Sequence, residues 1–315
     1  MKNYLTVKDI DDLSEWVKTA IELKKDPLRF RDLGQHKTLA MLFFNSSLRT
    51  RLSTHKAALN LGMDVMVMNI GKDGWILDFE EGSVMDRHSA EHIKEAAQVV
   101  AQYSDIVAVR AFASLQDKQS DEAELVLNGF ARYSGVPIVN MESSIHHPLQ
   151  ALADVITIEE FRKTKKPKVV LSWAPHPRPL PHAVANSFVE LMQISEADFV
   201  LTHPPGYELN PAITRNCRVE YDQQKALKNA DFVYAKNWSS YQDYGKILHQ
   251  NREWMMTEAK LGDAHFMHCL PVRRNVVVED AVLDSNRSLV HAQANNRTYA
   301  AQLVLKKLLD SRKNE

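Results

Sequence analysis

Short apolar runs alternate with amphipathic stretches along the chain, and the two periods predict buried strands and helices in turn. The apolar runs predict strands at residues 38–44, 64–70, 105–110, 137–141, 168–173, 198–202, 231–235 and 265–269. Apolar positions at helical spacing predict helices at residues 52–61, 91–103, 121–133, 149–162, 182–192 and 223–228. Such alternation is typical of parallel sheets covered on both faces. The predicted fold class is therefore α/β with doubly wound parallel sheets.

The division into domains is predicted from the distribution of these strands. Four predicted strands precede residues 149–166 and about four follow, and 315 residues are enough for about two ordinary domains. The charged run at 162–167 marks the boundary. We expect a first domain over residues 1–150 and a second over residues 151–292.

The two ends of the chain are each predicted to be helical. Residues 7–24 and 295–309 have the pattern of long amphipathic helices. Because terminal helices often pack together, the segment from about 293 to 315 is predicted to return to the first domain.

Composition and charge narrow the range of functions. The net charge is −1, and the chain lacks the basic excess that binding to nucleic acid requires. No run of about 18 apolar residues is present and the N-terminus lacks a signal-peptide core, so no membrane segment is expected. Cys217 and Cys269 are far apart in sequence, which favours a reducing, cytoplasmic location without disulfides.

The segment after the first predicted strand has the features of an anion site. It contains Ser47, Arg49, Thr50 and Arg51, and a helical pattern follows at once. A strand that turns into a helix brings free N–H groups and the positive helix end together, which suits phosphate. The turn has no glycine, so it is neither a Walker loop nor a dinucleotide fingerprint. A capped helix with solvated arginines is the alternative.

Other polar clusters also follow predicted strands. In open parallel sheets, ligands bind beyond the carboxyl ends of the strands. This placement favours a cleft between two domains, with Arg110 as a second clamp on the anion. The clusters at strand ends are Arg110, residues 142–150, His176, Lys236 and residues 268–274.

The pair His146 and His147 stands at the start of a predicted helix, before Gln150. Adjacent histidines rarely converge on one ion without a further ligand, so no metal site is predicted. An imidazole and a carboxamide can instead donate and accept hydrogen bonds to a small carbonyl compound.

A histidine–cysteine pair follows the last predicted strand, at His268 and Cys269. Adjacent residues of an extended chain point to opposite sides, which argues against a cysteine nucleophile activated by this histidine. The step from Leu270 to Pro271 favours a tight turn whose carbonyls face the cleft.

Four prolines stiffen the loop at residues 173–182, which contains His176. A loop of this kind suits a preformed binding wall. A structural linker is the equally open alternative.

Together, these motifs resemble those of the carbamoyltransferase (transcarbamylase) family, and they span about 250 residues. The resemblance implies two α/β domains, a carbamoyl-phosphate domain followed by an amino-acid domain, in a homotrimer with shared active sites. No cofactor or metal is implied. The matching positions are Ser47, Arg49, Thr50, Arg51, Arg110, His147, Pro148, Gln150, Leu152, Asp154, His268, Cys269, Leu270 and Pro271.

The resemblance also implies roles for individual residues. Thr50, Arg110 and His147 would polarise the carbamoyl carbonyl, and Gln150 with the Leu270 backbone would hold the amide nitrogen. The implied catalytic residues are Arg110, His147, Gln150 and Cys269. The implied carbamoyl-phosphate ligands are Ser47, Leu48, Arg49, Thr50, Trp75, Arg110, His147, Gln150, Leu270 and Arg297.

The acceptor amine is predicted from the second domain. Ornithine carbamoyltransferases carry a Ser-Met-Gly loop, which this chain lacks, and the chain more closely resembles the N-acylornithine branch. An acylated α-nitrogen has no charge, and Lys236 and Arg273 suit the α-carboxylate. Glu142, His176 and Cys269 are expected to line the same pocket.

The acyl group is predicted from residues 82–92, a loop that, with Trp75, is implied to reach a neighbouring subunit. Acetyl-specific relatives have Glu at the position of Ala90, and succinyl-specific relatives have Pro. A glutamate would repel a succinyl carboxylate, whereas Arg87 and His88 suit one.

The predicted reaction is carbamoyl transfer to N-succinyl-L-ornithine, giving N-succinyl-L-citrulline and phosphate in arginine biosynthesis. N-acetyl-L-ornithine, another amine, and a catalytically silent binding-only relative remain open alternatives. A nicotinamide oxidoreductase is disfavoured because the ten glycines include no G-x-G-x-x-G fingerprint.

Overall fold

The structure is a computed structural model that describes residues 1–86, 88–249 and 251–312. The chain divides into two compact units. The first comprises Met1–Ser114, Gln119–Leu149 and the chain from Arg297 onward, and the second comprises Leu115–Lys118 and Gln150–Asn296.

The first unit contains a four-stranded sheet in which every neighbouring pair is parallel. Its spatial order is β2-β1-β5-β6. Two short strands, β3 and β4, form a separate parallel pair. The bounds are β1 (Thr38–Phe43), β2 (Asp64–Asn69), β3 (Leu77–Asp78), β4 (Glu91–His92), β5 (Ile106–Arg110) and β6 (Ile138–Glu142).

The second unit contains a five-stranded sheet, again parallel throughout, in the order β11-β10-β7-β8-β9. The three-residue strand β9 was not predicted, because its charged and partly exposed positions give no apolar run. The bounds are β7 (Lys168–Trp173), β8 (Asp198–Thr202), β9 (Arg218–Glu220), β10 (Phe232–Lys236) and β11 (His265–Met267).

Helices connect the strands in both units, and short 3₁₀ segments occur at Val7–Asp9, Arg31–Gly34 and Arg252–Trp254. The α-helices in the described part of the chain are α1 (Leu13–Lys25), α2 (Arg49–Asn60), α3 (Ile93–Gln102), α4 (Lys118–Ala123), α5 (Leu125–Tyr133), α6 (Pro148–Phe161), α7 (Ala183–Gln193), α8 (Pro211–Thr214), α9 (Gln223–Leu227), α10 (Glu258–Leu261), α11 (Asp280–Leu283) and α12 (Val290–Arg312). None of those helices combines the length and the apolar character that crossing a membrane requires.

The core of each unit follows from its central strands, whose side chains are buried on successive positions rather than alternate ones. Such runs are expected where helices cover both faces of a parallel sheet. In the first unit, Leu42, Val107 and Val109 of the sheet share a buried cluster with Ile93 of α3 and Phe130 of α5. Burial of each large apolar side chain stabilises the fold by about 1.5–3 kcal/mol.

The predicted fold class is confirmed, including the return of the C-terminal helix to the first unit. On α12, the Gln302 side chain accepts a hydrogen bond from buried Asn60 of α2 at 2.9 Å, and Lys307 pairs with Glu15 of α1 at 3.0 Å. The helix begins at Val290 and therefore extends beyond the predicted residues 295–309.

Two predicted helices are wrong in their continuity. The stretch 7–24 is interrupted, because Thr6 and Asp9 form a capping box around a short 3₁₀ turn and Asp12 then caps α1. The stretch 121–133 is interrupted at Glu124, which has a left-handed backbone with φ 45°. Local capping and backbone geometry override the hydrophobic period at both places.

Candidate active site

The predicted anion turn joins the end of β1 to the start of α2. Ser47 Oγ accepts a hydrogen bond from the Thr50 backbone N–H at 3.3 Å, which holds the serine against the first turn of α2. Asn45 Oδ1 accepts a hydrogen bond from the Phe112 N–H at 2.9 Å, which ties the turn to the chain beyond β5. The turn is thus fixed from both sides at the carboxyl edge of the sheet.

Arg110, at the end of β5, reaches this turn. Its Nη1 atom donates hydrogen bonds to Ser47 Oγ at 3.1 Å and to Thr50 Oγ1 at 3.0 Å. Burial lowers the pKa of Arg110, the Glu142 carboxylate opposes this effect, and nearby Arg49 adds to it. The predicted second clamp is therefore in contact with the predicted anion turn.

A register shift between β5 and β6 pairs Arg110 with Glu142, one position further than regular pairing from Asn140 would give. As a result, Glu142 Oε2 lies 2.7 Å from Arg110 Nη1 and 3.7 Å from His147 Nε2. The bulge places a mostly buried carboxylate between the two side chains predicted to polarise a carbonyl.

Arg297, from α12, contacts the same threonine. Its Nη2 atom donates to Thr50 Oγ1 at 2.7 Å, across a sequence separation of 247 residues. Because Arg110 donates to that oxygen as well, both of its lone pairs have a donor. The Thr50 hydroxyl hydrogen is therefore directed elsewhere and is available to an acceptor such as a phosphate oxygen.

Two further predicted residues lie beside the short strands: Trp75 comes before β3, and Ala90 lies in the loop between β3 and β4, directly before β4. Trp75 Nε1 donates to Glu91 Oε2 at 2.7 Å, and the Ala90 N–H donates to the Ile76 carbonyl at 3.1 Å. Trp75 and Ala90 are consequently held close together, and both are exposed. Arg87 lies outside the described residues.

Glu81 fixes this loop to the rest of the first unit. Its carboxylate accepts hydrogen bonds from Lys94 of α3 and Tyr133 of α5, each at 2.5 Å. The Lys94 hydrogen bond is the main cause that lowers the pKa of Glu81 to about 2, and Tyr133 adds to it. The Glu81 carboxylate therefore stays charged at every pH near neutrality.

In the second unit, the proline-rich loop after β7 places His176 against Arg273. Arg273 Nε donates to His176 Nε2 at 3.1 Å, and His176 Nδ1 lies 2.8 Å from the Arg178 carbonyl. An arginine Nε can only donate, so this network assigns the proton of the neutral imidazole to Nδ1. Burial is the main cause that lowers the pKa of His176, and the charges of Arg273, Lys236 and Arg178 lower it further.

Lys236 and Cys269 also lie at the carboxyl ends of strands of the second sheet. Lys236 ends β10 and is buried, with its Nζ donating to the Asn237 carbonyl at 2.7 Å. Cys269 follows β11 as a partly exposed thiol that is not in a disulfide. Leu270 next to it has φ 56° and a cis bond to Pro271.

A chain of buried polar groups joins Gln150 to this bend. Asp154 Oδ1 accepts from Gln150 Nε2 at 2.7 Å and from Gln293 Nε2 at 2.6 Å. Gln293 Oε1 in turn accepts from the His268 N–H at 3.0 Å. Asp154 belongs to the motif matched in the sequence but received no role there, and Gln293 had no local signal at all.

The sequence-predicted site residues thus fall into two groups. The first unit brings Ser47, Thr50, Arg110, Glu142, His147 and Arg297 together around the anion turn, with Leu48 and Arg49 in the same turn. The second unit joins His176 to Arg273 and Gln150 to the bend at Leu270. Among the described residues, no three His, Cys, Asp or Glu side chains are grouped so as to hold a metal ion.

Two parallel-sheet units, one with buried arginines at a helix start, define a two-domain α/β protein with an anion site. Residues 2–160 match the family model of the aspartate/ornithine carbamoyltransferase carbamoyl-P binding domain. Residues 181–308 match the model of the Asp/Orn binding domain of the same family. The chain belongs to the aspartate/ornithine carbamoyltransferase family, which confirms the resemblance inferred from its motifs.

Similarity to individual members extends over nearly the whole chain. The N-succinylornithine carbamoyltransferase of Bacteroides thetaiotaomicron is 52% identical over 98% of this chain and 99% of its own length. The N-acetylornithine carbamoyltransferase of Xylella fastidiosa is 38% identical over 85% of this chain and 87% of its own length.

Solved structures of an N-acetyl-L-ornithine transcarbamylase share the fold. One variant, with a glutamate replaced by alanine, matches with a TM-score of 0.92 at 34% identity, covering 98% of this chain and 100% of that one. It is complexed with carbamyl phosphate and N-succinyl-L-norvaline. Variants with valine, serine or proline in place of the glutamate hold the same two ligands.

Proposed function

We propose that the protein transfers the carbamoyl group of carbamoyl phosphate to the side-chain amine of N-succinyl-L-ornithine. The products are N-succinyl-L-citrulline and phosphate, in the biosynthesis of arginine. The convergence of Arg110 and Arg297 on Thr50, in a chain 52% identical to an N-succinylornithine carbamoyltransferase, carries this proposal.

Carbamoyl phosphate binds at the anion turn in the first domain, residues 1–150 together with the helix from about 293. The backbone N–H groups at the start of α2, the Ser47 hydroxyl and the Arg49 guanidinium hold the phosphate. Leu48 contributes its backbone at the same turn. The Thr50 hydroxyl, which already accepts from two arginines, donates its hydrogen to the substrate.

The carbamoyl carbonyl is polarised by Thr50, Arg110 and His147, with Arg297 beside them. The substrate amine attacks the carbamoyl carbon, and the carbonyl electron pair moves onto oxygen, where these fixed donors stabilise the charge. Collapse of the intermediate breaks the bond between carbon and the phosphate oxygen. The departing phosphate takes the proton from the nitrogen, so no protein base is required. The proposal uses no cofactor or metal.

The acceptor binds in the second domain, residues 151–292. Lys236 and Arg273 pair with the α-carboxylate, and the bond from Arg273 to His176 supports this arrangement. Cys269 and Glu142 are assigned to acceptor binding as further polar groups. Gln150 and the backbone of Leu270 hold the carbamoyl nitrogen.

The succinyl group is supported by the residue at position 90. Ala90 leaves the loop without the glutamate charge that would repel a succinyl carboxylate. The relative whose glutamate is replaced by alanine holds N-succinyl-L-norvaline, which is consistent with this assignment. N-acetyl-L-ornithine is the alternative acceptor.

A homotrimer with shared active sites is supported by exposed apolar side chains of the first unit. At the start of α2, Leu48 is 67% exposed and Leu52 60%; Trp75, before β3, is 58% exposed, and Val84, in the loop between β3 and β4, is 80% exposed. Exposed apolar groups of this size often mark an interface between subunits. In the trimer, Trp75 and Ala90 complete the site of a neighbouring subunit. We place the enzyme in the cytoplasm, as its composition predicts.

The test is an assay of citrulline and phosphate release with N-succinylornithine, N-acetylornithine and ornithine in parallel. Preference for the succinyl compound is the expected result. Preference for the acetyl compound would overturn the role of Ala90 but not the reaction class. Activity on ornithine alone would overturn the assignment of the second domain, and no activity on any amine would overturn the proposed reaction.

A further inference from the structure

We propose that Asp154 is a positioning residue that sets the orientation of the Gln150 carboxamide and, through Gln293, the backbone bend at residues 268–270. Both groups then present hydrogen-bond acceptors to the carbamoyl nitrogen of the substrate. This inference rests on the proposed function, which it deepens by explaining how the amide end of carbamoyl phosphate is distinguished.

The geometry begins with a fully buried carboxylate on α6. One oxygen, Asp154 Oδ1, accepts two hydrogen bonds, from Gln150 Nε2 at 2.7 Å and from Gln293 Nε2 at 2.6 Å. Both distances are short for amide donors, as expected for hydrogen bonds to an ionised group. Asp154 therefore holds two glutamine side chains on the same atom.

An ionised carboxylate only accepts hydrogen bonds, so both glutamines must turn their NH₂ groups toward Asp154. Without such a partner, a carboxamide can adopt either of two orientations, because rotation by 180° about its last side-chain bond exchanges the oxygen and the nitrogen. The Gln150 oxygen consequently points away from Asp154. The NH₂ group of carbamoyl phosphate can only donate, so an outward oxygen is the atom that it needs.

Asp154 also acts on the backbone of residues 268–270, through Gln293; we call this path the second arm. With its nitrogen held by Asp154, Gln293 presents its oxygen to the His268 N–H at 3.0 Å. His268 Nδ1 then accepts from the Leu270 N–H at 2.9 Å. The N–H groups of residues 268 and 270 are both used, so the remaining backbone polar group at Leu270 is its carbonyl oxygen, again an acceptor.

A neighbouring polar group, the Tyr234 hydroxyl, adds no negative charge beside Asp154. The fully buried Tyr234 hydroxyl has a pKa well above its usual value, mainly because of burial and further because of Asp154 and Cys269. Tyr234 therefore stays protonated and adds no negative charge beside the carboxylate. A buried carboxylate is costly unless hydrogen bonds compensate it, and Gln150 and Gln293 supply two.

The test is a double-mutant cycle between Asp154→Asn and Gln150→Ala. The carboxamide introduced by Asp154→Asn would offer a donor as readily as an acceptor, so the Gln150 oxygen would no longer be fixed. We expect kcat/KM for carbamoyl phosphate to fall about 10- to 100-fold in Asp154→Asn, with KM for N-succinylornithine changed less than about twofold. In the Gln150→Ala background, the same substitution should lower kcat/KM by a much smaller factor.

The matched control is Asp231→Asn in the same unit. The Asp231 carboxylate accepts from the Lys168 N–H at 2.7 Å, at the opposite, amino-terminal edge of the same sheet. This variant also removes one carboxylate charge, and its turnover should stay within about twofold of the wild type. Thermal unfolding of every variant reports whether the fold is retained.

A purely structural role predicts a different pattern. Asp154→Asn would then lower turnover by the same factor with and without Gln150, and that result, or an unchanged kcat/KM, overturns the inference. If Asp154→Asn does not fold, Gln293→Met tests the second arm, with a fall in carbamoyl-phosphate affinity expected and an unchanged affinity counting against it. Calorimetric binding of carbamoyl phosphate to the wild type is measured first, because its absence would overturn the proposed function and this inference with it.

Discussion

The Glu142 carboxylate lies 2.7 Å from the Arg110 guanidinium, so a charged group of the protein occupies one of the arginines assigned to carbamoyl phosphate. Removal of that charge should strengthen anion binding. We expect Glu142→Gln to lower the Kd for carbamoyl phosphate by about three- to tenfold, as measured by calorimetry without acceptor. Glu95→Gln, which removes an exposed carboxylate on α3, is the control and should leave Kd unchanged. Weaker binding in Glu142→Gln would show that the carboxylate orients Arg110 rather than competing for it.

Thr50→Val should be far more damaging than its small change in volume indicates. The substitution removes Thr50 Oγ1, the buried oxygen that accepts hydrogen bonds from both Arg110 and Arg297. We expect a loss of about 1–3 kcal/mol in the free energy of unfolding and a fall of at least about 100-fold in kcat/KM. Thr54→Val, also buried and one turn further along α2, is the control. Similar activity in the two variants would refute the role of the Thr50 hydroxyl.

Ala90→Glu should reverse the preference between acyl groups. The new carboxylate would repel the succinyl carboxylate but not an acetyl group, so the ratio of kcat/KM for succinylornithine to acetylornithine should fall at least about tenfold. Ala90→Gln has nearly the same size without the charge and should change the ratio much less. If both variants change the ratio equally, the effect is steric and the electrostatic explanation is wrong.

The contact between His176 and Arg273 predicts a pH dependence of acceptor binding. The pKa of His176 is lowered, so the imidazole is neutral near pH 7 and its Nε2 accepts from Arg273. When pH falls through this lowered pKa, below the usual value of about 6.5, protonation removes the acceptor and adds a charge beside Arg273, Lys236 and Arg178. KM for the acylornithine should therefore rise at acid pH, while KM for carbamoyl phosphate changes little.

His176→Gln is the diagnostic variant for this contact. Its carboxamide oxygen can still accept from Arg273 but does not titrate, so KM near pH 7 should be close to that of the wild type and the acid rise should disappear. His176→Phe should raise KM at every pH. An acid rise that persists in the glutamine variant would assign the titration to another group.

Mixed trimers test the sharing of sites between subunits. Arg49→Ala removes a phosphate ligand from the active site of the same subunit. Trp75→Ala removes a residue that contributes to the active site of the neighbouring subunit. Each variant alone should therefore be inactive. After dissociation and reassembly of an equal mixture, roughly one quarter of the sites should contain both intact residues by random assortment. Activity should then return toward that fraction. No recovery in mixed trimers would mean that both residues serve the same chain's site.

The central strands β1, β5 and β7 could be predicted because their side chains are buried on successive positions, which gives clear apolar runs. Ser47 and Thr50 could be predicted as parts of one site because they share a local segment, and Arg110 could be added because it ends a neighbouring strand at the same edge of the sheet. The pairing of Arg110 with Glu142 depends on a one-residue register shift, which no pattern within either strand encodes. The contacts of Arg297 with Thr50 and of Gln293 with Asp154 join distant parts of the chain and had to await the tertiary structure.

The return of α12 to the first unit has a consequence for the newborn protein. Arg297 is translated only after all of Gln150–Asn296. A first unit that folds on the ribosome therefore lacks, until then, one of the two guanidinium groups that donate to Thr50. At about 5–20 residues per second, that delay lasts on the order of ten to thirty seconds. A nascent chain therefore has an incomplete phosphate pocket during this interval, and it gains the full pocket only after Arg297 has been added and α12 has docked on the first unit.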